Sequence, residues 1–138
     1  MEYQITTLER DDDRPLRGRM ALIGEGSHGT GGTSGYRCDW TRGVDVRIYA
    51  VEPREIPPTS AAVRYRYAVS RVHWTKWLRE SERREAWLVA TPEALLASLR
   101  EGDESAEERG NLYPAETEAW AEACKADPEL APLACEEI

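Results

Sequence analysis

The chain has 138 residues, of which 41% are hydrophobic and five are tryptophan. This is enough for one packed domain that buries roughly two thirds of its unfolded surface, and too apolar for a disordered tail. No apolar run approaches the roughly 18 residues of a membrane span, and the opening MEYQITTLER holds no signal-peptide core, so a cytoplasmic protein is expected. The net charge of −8 works against a nucleic-acid partner.

Residues 2–9 alternate weakly, with Tyr3, Ile5 and Thr7 on one side, and read as a first strand. Asp11-Asp12-Asp13-Arg14-Pro15 is a turn cluster. A second strand from Leu16 to Ile23 sets Leu16, Met20 and Leu22 against Arg17 and Arg19. Gly24 to Gly35 holds six glycines in twelve residues and reads as a loop, followed by a short third strand from Tyr36 to Thr41. Arg42-Gly43 then reads as a tight turn. Beyond it, Val44, Val46, Ile48 and Ala50 alternate with Asp45, Arg47, Tyr49 and Val51, the clearest two-residue period in the chain. Pro53, Pro57 and Pro58 end that strand.

Ala61 to Leu78 is the longest run without Gly, Pro or an acid, and residues 60–79 carry a charge of +5. Val63, Tyr65, Tyr67 and Val69 fall on one face, and Arg64, Arg66, Ala68 and Ser70 on the other. Aromatic and β-branched residues suit such a half-buried strand. Residues 75–85 fit either the hairpin into a strand at 84–90 or a helix, with Trp74, Trp77, Leu78 and Ser81 at helical spacing and Glu80 and Arg84 as an i,i+4 pair. After residue 90 the period changes. Thr91-Pro92-Glu93 is an N-cap, a first-turn proline and a first-turn acid. Leu95, Leu96 and Leu99 give that helix its stripe, and Gly102 ends it. Pro114 opens a second helix to about Ala126 with Trp120, Ala123 and Cys124 as its apolar face. Asp127-Pro128-Glu129 starts a short third one that Pro132 limits.

Strands first and helices last predict one α+β domain over residues 1–138. An antiparallel sheet of five or six strands (residues 2–90) is covered by two or three C-terminal helices (residues 92–136). Charge divides along the same line. Residues 1–100 hold 16 bases and 14 acids, a balance of +2, and residues 101–138 hold 2 bases and 12 acids, a balance of −10. Arginine outnumbers lysine sixteen to two, and Asn and Gln occur once each. These biases suggest a GC-rich thermophile or a virus of one.

No reaction motif survives inspection. Gly24-Glu-Gly26-Ser-His-Gly29 fits G-x-G-x-x-G, but TGGTSG follows where a dinucleotide site needs a helix N-terminus. Cys38 with His28 or His73 lacks an orienting acid, and Asp11–Asp13 lacks the Gly and Glu of a calcium loop. Cys38, Cys124 and Cys135 form no CxxC pair and read as buried thiols. No metal and no cofactor is expected. The basic strand offers Arg64, Arg66, Arg71, Trp74, Lys76 and Trp77, residue types that anchor protein contacts. They would equally serve phosphates and bases, or pair with the acidic helices. Glu101, Asp103, Glu104, Glu107 and Glu108 form a possible acidic contact surface that would steer a basic partner. The expected function is a non-enzymatic regulatory or inhibitory protein, phage- or mobile-element-encoded, docking on a nucleic-acid-handling machine such as host RNA polymerase or its initiation factor. The alternatives are a small nucleic-acid-binding module using the Arg/Trp strand, and a small enzyme whose site the sequence hides.

Overall fold

The computed structural model describes residues 1–30, 41–53, 64–77, 79, 81–101 and 114–134. Five antiparallel strands lie side by side in chain order: β1 (Gln4–Leu8), β2 (Leu16–Thr30), β3 (Arg42–Val51), β4 (Tyr67–Thr75) and β5 (Arg83–Val89). Helices α1 (Pro92–Arg100) and α2 (Pro114–Ala126) follow, then a 3-10 turn at Ala131–Leu133. The fold is α+β, with the helices after the sheet, as the order of periodicities predicts. The third helix is only that single turn. Residues 36–40 of the expected short strand lie outside the described residues.

The two-residue period of β3 reads out directly. Val46, Ile48 and Ala50 are buried toward α2, while Arg47 faces solvent. β4 keeps the predicted phase from Tyr67 onward, but its first five residues are buried on both faces, because the sheet curls. The Asp11 N–H donates to the Arg84 carbonyl at 3.1 Å, and the Arg84 N–H donates to the Asp11 carboxylate at 2.8 Å. The turn after one edge strand thereby reaches the other edge strand. Inside the curl, Leu8, Met20, Tyr49, Ala68 and Ala86 form a second apolar cluster, backing the main one under α2. β4 and β5 pair from Tyr67↔Val89 to His73↔Arg83, which decides for the hairpin over the helix at residues 75–85.

Two expectations are corrected. Of the expected Gly24–Gly35 loop, Gly24 to Thr30 is the second half of β2, paired in register with β3 from Ile48 to Arg42, and residues 31–35 lie outside the described residues. Arg42-Gly43 likewise belongs to β3. A register shift between Leu22 and Gly24 inserts one extra residue, Ile23, into β2. Such a bulge reverses which side chains face which side. Leu22 opposite Tyr49 shares the face of the second cluster, whereas Gly24 opposite Ile48 and Gly26 opposite Val46 face α2. A Cβ on Gly24 would lie 2.2 Å from the Ala119 carbonyl oxygen, and one on Gly26 would lie 2.0 Å from that of Ala115. The glycines therefore let the helix backbone settle onto the strand, and Ala115, Ala119 and Ala123 supply the matching small side chains.

α1 begins as its cap predicts, with Thr91 Oγ1 accepting from the Ala94 N–H at 3.1 Å. Leu95 and Leu99 are fully buried and Leu96 partly so. The expected face of α2 is also found, since Trp120, Ala123 and Cys124 are all buried.

Candidate docking site at the start of β4

The six basic and aromatic candidates do not form one patch. Residues 66 and 76 stand at opposite ends of β4, roughly 30 Å apart at the rise of an extended strand. Arg64, Tyr65 and Arg66 lie just before the strand, and Arg71 lies within it. Trp74, Lys76 and Trp77 lie at its far end. Trp74 lies against Gly43, its partner in the β3–β4 register, where any Cβ would fall 2.3 Å from the indole. Lys76 donates its N–H to the Thr41 carbonyl at 2.8 Å, and Trp77 is 54% exposed.

The Arg64–Arg66 end borders a cleft of about 740 Å³ between the N-terminal residues, the end of β3 and the segment after α2. Tyr3, Tyr65 and Tyr67 give it aromatic walls, and Arg64 and Arg66 give it cations. The backbone of Arg66 is clamped between two strands, donating to Val89 O and accepting from Val51 N–H, both at 2.9 Å. Its guanidinium sits 5.6 Å from the centroid of the Tyr67 ring and pairs with Glu129. Arg64 is exposed, and Tyr65 is 44% exposed. The floor is firmer: the Tyr67 hydroxyl donates to Asp127 Oδ2 at 2.9 Å, and Asp127 Oδ1 accepts the Glu129 N–H at 2.9 Å.

Burial, then the hydrogen bond to Asp127 and the charge of that carboxylate, push the Tyr67 hydroxyl up to about 12. Between pH 10 and 12 the unfolded chain releases this proton while the folded chain keeps it, so stability is lost as pH rises through that window. The loss from this group should reach roughly 2–3 kcal/mol by pH 12. Tyr67→Phe should flatten that part of the alkaline limb in urea melts taken from pH 9 to 12; equal slopes for the two proteins would refute the assignment.

Arg71 is 5% exposed and anchors a polar network under α2. Its Nε donates to Glu116 Oε1 at 2.9 Å, its Nη1 stands 3.6 Å from Glu85 Oε2, and its guanidinium carbon lies 4.9 Å from the Trp87 ring centroid. Glu116, in the first turn of α2, is 3% exposed. His73 Nε2 lies 3.1 Å from Glu85 Oε1 and 3.0 Å from Arg83 Nη2. That hydrogen bond from His73 is the main influence lowering the Glu85 carboxyl, with Arg71, His73 and Arg83 adding through their charges. This stabilising contribution is present above the ordinary carboxylate range and is lost as pH falls through the lowered value.

Glu116, Asp127 and Glu129 were indistinguishable in sequence from solvent-facing helix acids. Each has a cationic or hydroxyl partner on β4 or just before it. Of the expected acidic surface, Glu101 is exposed at the end of α1, and Asp103, Glu104, Glu107 and Glu108 lie outside the described residues. Cys124 is a buried thiol donating to the Leu130 carbonyl at 3.6 Å, whereas Cys38 and Cys135 lie outside the described residues. Among the described residues no group of three His, Cys, Asp or Glu could hold a metal ion, and no helix is long and apolar enough to cross a membrane.

The chain matches no family model, no curated protein and no solved structure.

Proposed function

We propose that the protein is a non-enzymatic regulatory protein that docks on a larger macromolecular machine through the lip formed by Arg64, Tyr65 and Arg66. The supporting observation is the cleft itself. It combines exposed arginine and tyrosine, the residue types that carry most interface energy, with a floor held by the Tyr67–Asp127 bond. Of the basic candidates, Arg71 is taken up by Glu116 beneath α2, while Arg66, just before β4, makes only an exposed pair with Glu129. The net charge of −8 and the burial of Arg71 favour a protein partner over a nucleic acid. A nucleic-acid-handling enzyme, RNA polymerase or its initiation factor first, is the partner class to try.

Affinity capture from a lysate of the source organism or its host identifies the partner. Arg64→Glu combined with Tyr65→Ala should then weaken the complex at least ten-fold, a loss of about 1.4 kcal/mol, while thermal stability stays unchanged. Full retention of affinity would remove this end of β4 from the interface. Trp77→Ala, made in parallel, reports whether the contact extends to the far end of the strand.

A small enzyme is the second reading, favoured by one observation: His73 rests beside Glu85, as a base and its orienting acid would. That pair lies well along β4 from the Arg64–Arg66 cleft, and neither residue lines it.

A further inference from the structure

The geometry points to a carboxylate-bearing peptide segment as the occupant of the Arg64–Arg66 cleft, with Glu129 as a built-in competitor for the same guanidinium. This inference rests on the docking reading above and names what that site recognises.

Arg66 is presented as a carboxylate receptor. Its backbone is bonded on both sides, to Val51 and Val89, and its guanidinium leans on the Tyr67 ring. A cation held this way loses little freedom when it binds, and guanidinium matches carboxylate in a two-pronged geometry. Glu129 already shows that a carboxylate reaches it. The pair is solvent-exposed, with side chains 40% and 59% accessible, and pairs of that kind are weak and exchangeable. Glu129 stays within reach because its own N–H is tied to Asp127, which is tied in turn to Tyr67. Arg64, one alternate position away and exposed, makes no ion pair among the described residues and offers a second cation. The exposed ring of Tyr65 and the walls formed by Tyr3 and Val51 suit an aromatic or aliphatic neighbour of the bound acid. The predicted ligand is therefore a short segment with Asp or Glu beside a large apolar residue. On binding, it would displace Glu129 into solvent.

Because the competitor masks Arg66 for part of the time, apparent affinity is reduced by the fraction in which the guanidinium is open. For a surface pair of ordinary strength, Glu129→Gln should raise affinity about two- to six-fold. A random dodecamer library displayed on phage and panned on the intact chain supplies the probe, and fluorescence anisotropy of the enriched peptides measures binding. We expect enriched sequences to carry an acid next to an aromatic or aliphatic residue. Their Asn or Gln counterparts should lose at least ten-fold. Arg66→Gln should abolish the acid preference, and Glu129→Gln should tighten binding with the thermal midpoint unchanged.

Enriched peptides without acids would overturn the ligand assignment while leaving docking intact. Acid-bearing peptides that bind Glu129→Gln and the parent equally would overturn the competitor role. No enrichment at all, or enrichment insensitive to Arg64 and Arg66, would overturn the docking reading together with this inference.

Discussion

Gly26→Ala is expected to destabilise the protein by about 3 kcal/mol or more, whereas Gly18→Ala should be neutral or slightly stabilising. Both glycines lie in β2, and both exchanges restrict the unfolded chain equally, a benefit of about 0.4–1 kcal/mol where the native site accepts a methyl group. What differs is the space. At Gly18 the nearest atom to an added Cβ is Met20 Cε at 3.9 Å, an ordinary contact with a flexible tip. At Gly26 the added atom would lie 2.0 Å from the Ala115 carbonyl oxygen and 2.8 Å from the Ala119 nitrogen, both backbone. A helix backbone cannot swing aside like a side chain, so α2 must lift from the strand and give up buried contacts of Ala115, Ala119 and Trp120. Overpacking usually costs about 1–3 kcal/mol, and lifting a helix puts this case at or above the top of that range. Gly24→Ala, at 2.2 Å from the Ala119 carbonyl, should behave likewise. Urea unfolding of the three variants provides the check. Equal stability for Gly18→Ala and Gly26→Ala would mean that α2 does not rest on β2 as described.

Arg71→Ala should cost about 3–5 kcal/mol, the range for breaking a buried pair and leaving one charge behind. Glu116 is nearly inaccessible, and the Arg71 Nε–H is its cationic donor on the sheet. Glu116→Ala should be costly for the converse reason, softened because Arg71 keeps Glu85 at 3.6 Å and the Trp87 ring. The double exchange Arg71→Met with Glu116→Leu removes both charges at similar volume and should recover most or all of the loss, since apolar replacements of buried pairs are often neutral or stabilising. The coupling across that cycle is the informative quantity. Single losses below about 1 kcal/mol, with additive doubles, would mean that water reaches the pair and screens it. The network also leaves Arg71 Nη2 and Trp87 Nε1 buried without partners among the described residues.

Buried positions at Arg71 and Glu116 explain why composition was a poor guide to the site. The contrast between a basic strand and an acidic C-terminal third was legible, and part of its use is internal: Glu116 of α2 meets Arg71 of β4, and Glu129, after α2, meets Arg66, just before β4. Arg64 and Tyr65 stay exposed at the cleft, and Trp77 stays exposed at the far end of the strand. Residue type alone could not separate these fates. Arg71, expected on a contact surface, instead continues the face of Tyr67 and Val69 and is buried because α2 reaches that far along the strand.

The alternation of Val44 to Val51, the phase of β4 from Tyr67 onward, the Thr91 cap and the limits of α2 were all determined by the sequence itself. Each depends on neighbours a few residues away: the pleat, the first turn of a helix, the fixed φ of proline. Only the tertiary structure decided that Gly24 to Thr30 is strand, that Ile23 shifts the register, and that Asp11 closes the curl onto Arg84. Glycine supplies no side chain to bias the outcome, so a glycine-rich run suits a loop or a close approach equally. The choice falls to whatever packs against it, here an alanine-faced helix about ninety residues further along the chain.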